Sequence, residues 1–438
     1  MIEIIGILLQ LVIFLTIFCF PFQPRSLNNF LNLKINTLNY IDSHAINLIF
    51  FIFLATFFSF SNIDLKILFK LHIIICLIFF LINFKYLKEI SFRLEIFIFL
   101  LVLISIFFFL AGNLKLEWDG HHWIEKTFIF FNNSNIQELK NVQTHPYYPH
   151  VGAYIWSYFW KNSLLELEYF GRYFQVYFYI LSIFTCFNVL KTKNIIFKIL
   201  LILFFILITF EPYLLQGYQE YLIFSSLLIA SRYILLIDFK IKNNYKLIFL
   251  ILLIFYTLAW FKDEGSIYYL IFSFSLIFFL RDSFKKKIFF FIFLLSLFLL
   301  QYLLQKYLIG IYGFPEKTSF LSVFRDIMNV EVLITKTFNI IFHILIAFIK
   351  YPMWLLIIIS SSIIIFIFKE NDKIIYYYLC CLILNISFVF IVFFTFANFD
   401  LMLRVSLDRI LFQTSGFYTI IIIMFLNKFK KLKIVNFY

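Results

Sequence analysis

The chain has 438 residues, 63% of them apolar and only 14% charged, with a mean hydropathy of +0.96, a composition that excludes a soluble globular enzyme and marks an integral membrane protein. Its formal charge of +13 would suit a nucleic-acid partner, but Lys and Arg gather in short clusters at the ends of apolar runs, so membrane topology explains them and no nucleic acid is expected. Cys19, Cys76, Cys186, Cys380 and Cys381 all lie inside apolar runs, which argues against disulfides and thiolate metal sites.

Crossing a hydrocarbon core takes roughly 17 to 25 apolar residues. About 13 runs of this kind are predicted to span: 2–20, 44–60, 65–84, 94–112, 173–190, 195–210, 218–237, 246–260, 266–280, 288–308, 353–368, 374–396 and 410–427. The first begins at Ile2 without a basic leader or small-residue cleavage site and reads as a retained span. The chain is therefore expected to be one all-α polytopic membrane domain covering 1–438. The clusters Lys85/Lys88/Arg93, Lys191/Lys193/Lys198, Lys240/Lys242/Lys246, Arg281/Lys285/Lys286/Lys287 and Lys428/Lys430/Lys431/Lys433 are assigned to the cytoplasm. A large loop, 113–172, between the fourth and fifth spans then lies outside. Residues 310–352 form a second external segment, in which the apolar stretch 334–350 either lies in the interface, re-enters the membrane or spans it.

The first loop carries the densest chemistry. Glu117-Trp118-Asp119-Gly120-His121-His122-Trp123 is followed by His145-Pro146-Tyr147-Tyr148-Pro149-His150, which places four of the seven histidines within thirty residues. A carboxylate can take a proton from a hydroxyl, and aromatic rings stack on sugar faces, so this loop is read as an active-site cap with Asp119 as general base. The plainer reading is an aromatic belt anchoring the loop at the interface. Imidazole and carboxylate also suit a divalent metal, but without Asp-x-Asp or a helical His-x-x-x-His no metal or other cofactor is expected.

Three further elements fall on the same outer face. Glu220 follows Gly217-Tyr218-Gln219 at the start of a span, where a carboxylate also complements the helix dipole. Lys262-Asp263-Glu264-Gly265 supplies a cation and two acids, either for a substrate or as a salt bridge at the rim. Arg404 and Asp408, four apart, share a helical face, and with Arg409 they read either as an intrahelical pair or as guanidinium capture of a lipid-linked phosphate. Arg172, near Glu166 and Glu168, reads as structural. Transport folds interrupt apolar helices with Gly or Pro near the midplane. Here all seven prolines lie at span ends or in loops, and only Gly6 and Gly416 fall well inside spans.

In their order along the chain these elements resemble the GT-C class of membrane glycosyltransferases, including protein mannosyltransferase-like and aminoarabinose transferase-like members. Trp118-Asp119-Gly120 is similar to the class's first-loop acid, and His145-Pro146-Tyr147-Tyr148-Pro149 to its His-Pro-x-Tyr-Pro stretch. Gly217-Tyr218-Gln219-Glu220 resembles its Gly-Tyr-x-acid element, Lys262-Asp263-Glu264-Gly265 its Lys-x-Glu-Gly turn, and Ser406-Leu407-Asp408-Arg409 its Ser-x-Asp-Arg element. The resemblance covers most of 94–427 and rests on the order of short motifs. It departs in having three spans before Leu94 and no large soluble C-terminal domain.

The resemblance implies inverting transfer of a sugar from a polyprenyl-phosphate donor to an acceptor hydroxyl on a glycan, lipid or protein, at the outer face of a bacterial inner membrane. Asp119 would take the hydroxyl proton, and Arg404, Arg409 or Lys262 would stabilise the leaving phosphate. His121, His122, His145, Tyr148, Tyr218, Glu220, Glu264 and Asp408 would line the substrate site. A lipid-linked glycan polymerase or ligase would share this site, and a flippase or transporter is the alternative of a different class.

Overall fold

The computed structural model describes residues 2–34, 37–87, 94–111, 115–116, 119–143, 145–190, 192, 194–211, 216–239, 244–310, 328–368, 372–395 and 399–431. Trp118, Lys88, Arg93, Lys191, Lys193, Lys240, Lys242, Phe396, Lys433 and 311–327 lie outside that set, as do the side chains of Lys85, Lys430 and Lys431. Apolar runs with few β-breaking turns leave the backbone only one way to satisfy itself in lipid, and the described residues contain helices and no strand.

In chain order these are α1 (Ile2–Ile17), α2 (Pro24–Phe30), α3 (Tyr40–Phe58), α4 (Leu65–Leu87), α5 (Leu94–Leu110), α6 (Asp119–Phe131), a short 3-10 turn (Ile136–Asn141) and α7 (Val151–Lys161). Then come α8 (Glu168–Phe187), α9 (Ile195–Thr209), α10 (Glu220–Ile234), α11 (Tyr245–Leu258), α12 (Asp263–Phe279) and α13 (Phe284–Leu303). The last four are α14 (Val330–Lys350), α15 (Pro352–Ser362), α16 (Lys373–Thr395) and α17 (Phe399–Lys431). Asparagine starts several of them: Asn39, Asn194, Asn244 and Asn329 each accept a first-turn amide of the helix that follows.

α8 and α10 are buried on every face along most of their length and form the centre of the bundle. α17 lies along α10, where Gly416 brings its backbone against the Phe224 carbonyl and Phe412 stacks on Phe224 at 4.8 Å. The outer helices instead expose aliphatic and aromatic side chains, among them Leu71, Ile74, Ile78 and Leu81 of α4 and Phe289, Ile292 and Leu299 of α13. This apolar exterior marks a helical membrane protein. Among the described residues six helices are long and apolar enough to cross a bilayer, and each of the 13 runs read from the sequence coincides with a helix.

The bundle has two chemically distinct ends. α10 begins at Glu220 beside Lys262 and Arg409, and ends near Arg232, whose Nε donates to Asp42 at 3.2 Å while Tyr233 donates to the Asp42 carbonyl. Lys198 and Glu95 pair at 2.9 Å in the same way, next to Asn188 at the end of α8.

One segment differs from the sequence reading, and a second forms the helix expected of it. The first loop is largely a packed helical layer, because α7 (VGAYIWSYFWK) is apolar on every side and is buried from Val151 to Trp160. In the second, Val330–Lys350 is one helix, and Lys336 donates to the Phe394 carbonyl at the end of α16 while Lys350 pairs with Asp408.

Gly416→Val would drive a branched side chain into the Phe224 carbonyl, 2.4 Å from an added Cβ. We expect it to cost about 1–3 kcal/mol, the range for overpacking, read as a lower melting temperature of the detergent-purified protein. Unchanged melting would show that α10 and α17 can part without cost.

Candidate active site at the Glu220 ion cluster

Glu220 is the first residue of α10 and is nearly inaccessible, so its charge must be met by partners. Its Oε1 accepts from Lys262 Nζ at 2.9 Å, from Arg409 Nε at 2.8 Å and from Arg409 Nη2. The same Nη2 reaches Asp119 Oδ2. Lys262 also faces Glu264 Oε1 at 3.7 Å. Four chain segments thereby meet: the starts of α6, α10 and α12, and α17 partway along its length.

Local backbone geometry brings them together. Gly217 sits at φ +83°, a region that costs residues with a side chain, and lets the chain turn directly into α10 against the Trp156 ring. Gly120 lies so close to the Gln216 carbonyl that a Cβ would stand 1.8 Å away, so α6 can rest on this turn only with glycine there. The Asp119 backbone reaches the Tyr218 hydroxyl, and Arg409 lies 4.6 Å above the Tyr218 ring. Asp119 is thus held at both its backbone and its carboxylate.

The cluster is graded in exposure. Side-chain exposure rises from 4% at Glu220 and 6% at Lys262 through 16% at Arg409 to 27% at Asp119, so its open side is the side of Asp119. Three carboxylates, Asp119, Glu220 and Glu264, face two cations, Lys262 and Arg409, leaving one net negative charge. Burial alone would lower the Lys262 amine, but Glu220 and Glu264 outweigh it and hold it above its ordinary value. Glu220 Oε2 and Glu264 Oε2 are buried acceptors without a partner, positioned to receive donors such as hydroxyl groups.

An aromatic wall adjoins the cluster. His122 meets His145 edge-on at 5.1 Å, His145 stacks on Tyr148 at 4.7 Å, and Tyr148 stacks on Trp123 at 5.9 Å. The Tyr148 hydroxyl is pushed well up by burial and by the Glu264, Asp263 and Asp119 carboxylates near it. His121 is exposed on the outer side of α6. His150 is a structural residue: its Nε2 bonds Ser59 Oγ at 2.9 Å, and burial lowers its pKa to about 3.

Sequence reasoning missed Lys126. It lies on the buried stripe Trp123, Lys126, Phe130 of α6, and its amine donates to the Tyr148 carbonyl at 2.6 Å and the Pro146 carbonyl at 3.4 Å, tying the His-Pro-Tyr-Tyr-Pro loop to the helix. A lysine at helical spacing between apolar residues was the available signal, and it is visible only once 119–131 is read as a helix. Burial lowers Lys126 to about 7, while Asp263, raised by burial and by Glu264, stands at about 8.

Two expected residues lie elsewhere. Arg404 is exposed and takes no part in the cluster: five positions from Arg409, it projects about 140° around the helix. Asp408 pairs across helices with Lys350 at 3.5 Å on a solvent-accessible side, so the intrahelical Arg404–Asp408 pair does not form. Arg172 is structural, paired with Glu168 at 2.6 Å beside Trp156. Among the described residues no three His, Cys, Asp or Glu side chains are grouped to hold a metal ion. No family model, curated protein or solved structure matches the chain.

The Asp263 shift predicts a pH dependence. Because its folded pKa is raised, the protonated form favours folding, and that stability is lost as pH climbs from the ordinary carboxylate value of about 3.9 to about 8. Lys126 runs the other way: its folded pKa is lowered, so the penalty for burying its charge is relieved above about 7. Asp263→Asn should therefore gain in melting temperature relative to wild type between pH 4 and 8. A difference that does not change with pH would show that Asp263 titrates normally.

Proposed function

We propose that this chain is a GT-C-like membrane glycosyltransferase that moves a sugar from a polyprenyl phosphate to an acceptor hydroxyl at the outer face of a bacterial inner membrane. On this reading the 13 apolar runs span, and α14 lies across the outer end, as its contacts with Phe394 and Asp408 favour. The observation that carries the reading is the direct link of Asp119, the open carboxylate, through Arg409 to the buried Glu220–Lys262 pair. A carboxylate that could act as base and a cation that could bind phosphate lie within one interaction of each other, which supports the reading.

The charge balance supplies the mechanism. Arg409 is already neutralised, so a donor phosphate engages it by displacing Asp119. Arg409 passes to the phosphate, and the Asp119 carboxylate, released from its ion pair, is free to accept a hydrogen bond from the acceptor hydroxyl. The acceptor O–H bond then breaks toward Asp119, its oxygen bonds to the anomeric carbon, and the bond from that carbon to the phosphate oxygen breaks with its electron pair on the lipid phosphate. The configuration inverts. Arg409 and Lys262 stabilise the negative charge on the leaving group, where fixed cations contribute most. Glu264 and the Trp123–Tyr148–His145 stack receive the sugar hydroxyls and ring face.

Two measurements test this. With reconstituted protein and a panel of polyprenyl-phosphate sugars, Asp119→Asn should lose about 100- to 10,000-fold in turnover yet bind donor at least as tightly as wild type, since Arg409 no longer has to leave a carboxylate. Arg409→Ala should weaken donor binding. Full turnover by Asp119→Asn removes Asp119 from catalysis, and movement of the substrate across the bilayer without a new glycosidic bond replaces the reading with a transporter. For topology, His121→Cys in a cysteine-free background should react with a membrane-impermeant thiol reagent in intact cells; labelling only after lysis would invert the orientation.

A further inference from the structure

At the opposite end of the bundle from the ion cluster lies a second feature, a cavity of about 730 Å³ between α2, α3, α11 and α13. That volume falls inside the range of about 300–1,000 Å³ typical of small-molecule sites. α11 runs from Tyr245 to Leu258, about 20 Å at 1.5 Å per residue, so Lys246 and Lys262 sit at its two ends. The cavity floor is aliphatic and aromatic, with Ile49 and Phe290 buried and Leu253 half-buried. Its mouth is apolar and outward-facing: Phe249 is 48% and Phe289 66% exposed.

The polar part of the lining includes three lysines, Lys246, Lys285 and Lys286. Lys246 and Lys285 are exposed, and Lys246 Nζ rests 5.0 Å from the Phe30 ring. Lys286 lies 4.3 Å from the Tyr245 ring and donates to its hydroxyl. The Asp282 carboxylate accepts from the same Tyr245 hydroxyl at 2.7 Å. Among the described residues no ion pair joins any of the three lysines to a carboxylate. Their charge is therefore left over at the edge of a lipid-sized apolar slot.

We propose that this slot is a binding site for one anionic phospholipid of the surrounding bilayer, with acyl chain against Ile49, Leu253 and Phe290 and headgroup phosphate at Lys246, Lys285 and Lys286. The match is one of amphiphile to amphiphile. An apolar volume that opens sideways through Phe249 and Phe289 admits a chain from the membrane, and a cationic edge whose three lysines outweigh the Asp282 carboxylate selects a headgroup with net negative charge over a zwitterionic one. The site lies away from the Glu220 cluster, and the inference does not rest on the chemistry proposed there.

The test is native mass spectrometry of the full-length protein after reconstitution in vesicles of equal phosphatidylglycerol and phosphatidylcholine and mild extraction. Wild type should retain phosphatidylglycerol several-fold over phosphatidylcholine. Lys246→Gln with Lys285→Gln, which leaves the Lys286–Tyr245 bond intact, should lower that ratio about five-fold per lysine or bring it to the bulk value. Leu253→Trp, which fills the slot and keeps every charge, should lower retention of both lipids. Lys373→Gln, away from the cavity lining, should change neither. Equal retention of the two lipids by wild type, an unchanged ratio in the double variant, or undiminished retention by Leu253→Trp would each overturn the site and leave only ordinary boundary lipid.

Discussion

A carboxylate buried at the start of a central helix dominates this structure. Glu220 is almost cut off from water, and a lone charge in that position would cost several kcal/mol or be neutralised by protonation. Lys262 and Arg409 prevent both outcomes. Their side chains come from α12 and α17, so meeting one charge fixes how three helices end relative to one another. Asp119 then has a cation to pair with only because Arg409 has a second donor face to offer. Stability and candidate chemistry draw on the same few atoms, and a substrate that engages Arg409 must compete with the contact that holds α6 in place.

The opposite end obeys the same rule without openness. Asp42 is buried to 1% exposure, and Arg232 and Tyr233 meet it from α10. The Asp42–Arg232 pair stays closed, whereas the Glu220 cluster opens outward through Arg409 to Asp119. Between the two ends α10 carries Ser225, Ser226 and Ser231, small hydroxyls that let neighbouring helices approach without placing charge at mid-depth. The molecule is thus ionic at both ends and apolar between, and at the Glu220 end the ions lead stepwise from a buried pair out to an open carboxylate.

How much of this is legible in the sequence depends on which signal is read. Apolar run length gave the helices, since each predicted run coincides with one, and the grouping of Asp119, Glu220, Lys262, Glu264 and Arg409 followed from placing four short polar elements on one face. Arg404 was misplaced because motif proximity ignores the angle around a helix. Lys126 was missed because the density of His, Trp and Tyr from 117 to 150 reads as loop, which hides the 3.6-residue period that puts this lysine among buried residues. Asp408 reads from the sequence as a substrate-site residue or a partner of Arg404, because its partner Lys350 is 58 positions away. Tertiary partners at such separation leave no trace in local spacing.

The glycines set a boundary on what this chain can change. At Gly120, Gly171, Gly265 and Gly416 an added Cβ would meet a carbonyl of the neighbouring segment at 1.8 to 2.4 Å, so at these points the backbones themselves are in contact. Elsewhere the chain is written largely in phenylalanine, 68 of them, and on lipid-facing surfaces one apolar side chain serves about as well as another. Mutational drift in composition therefore has wide room over most of the surface and almost none at these four glycines. Two of those positions, Gly120 and Gly265, stand next to the acids of the ion cluster, which places the least alterable parts of the sequence beside its most reactive ones.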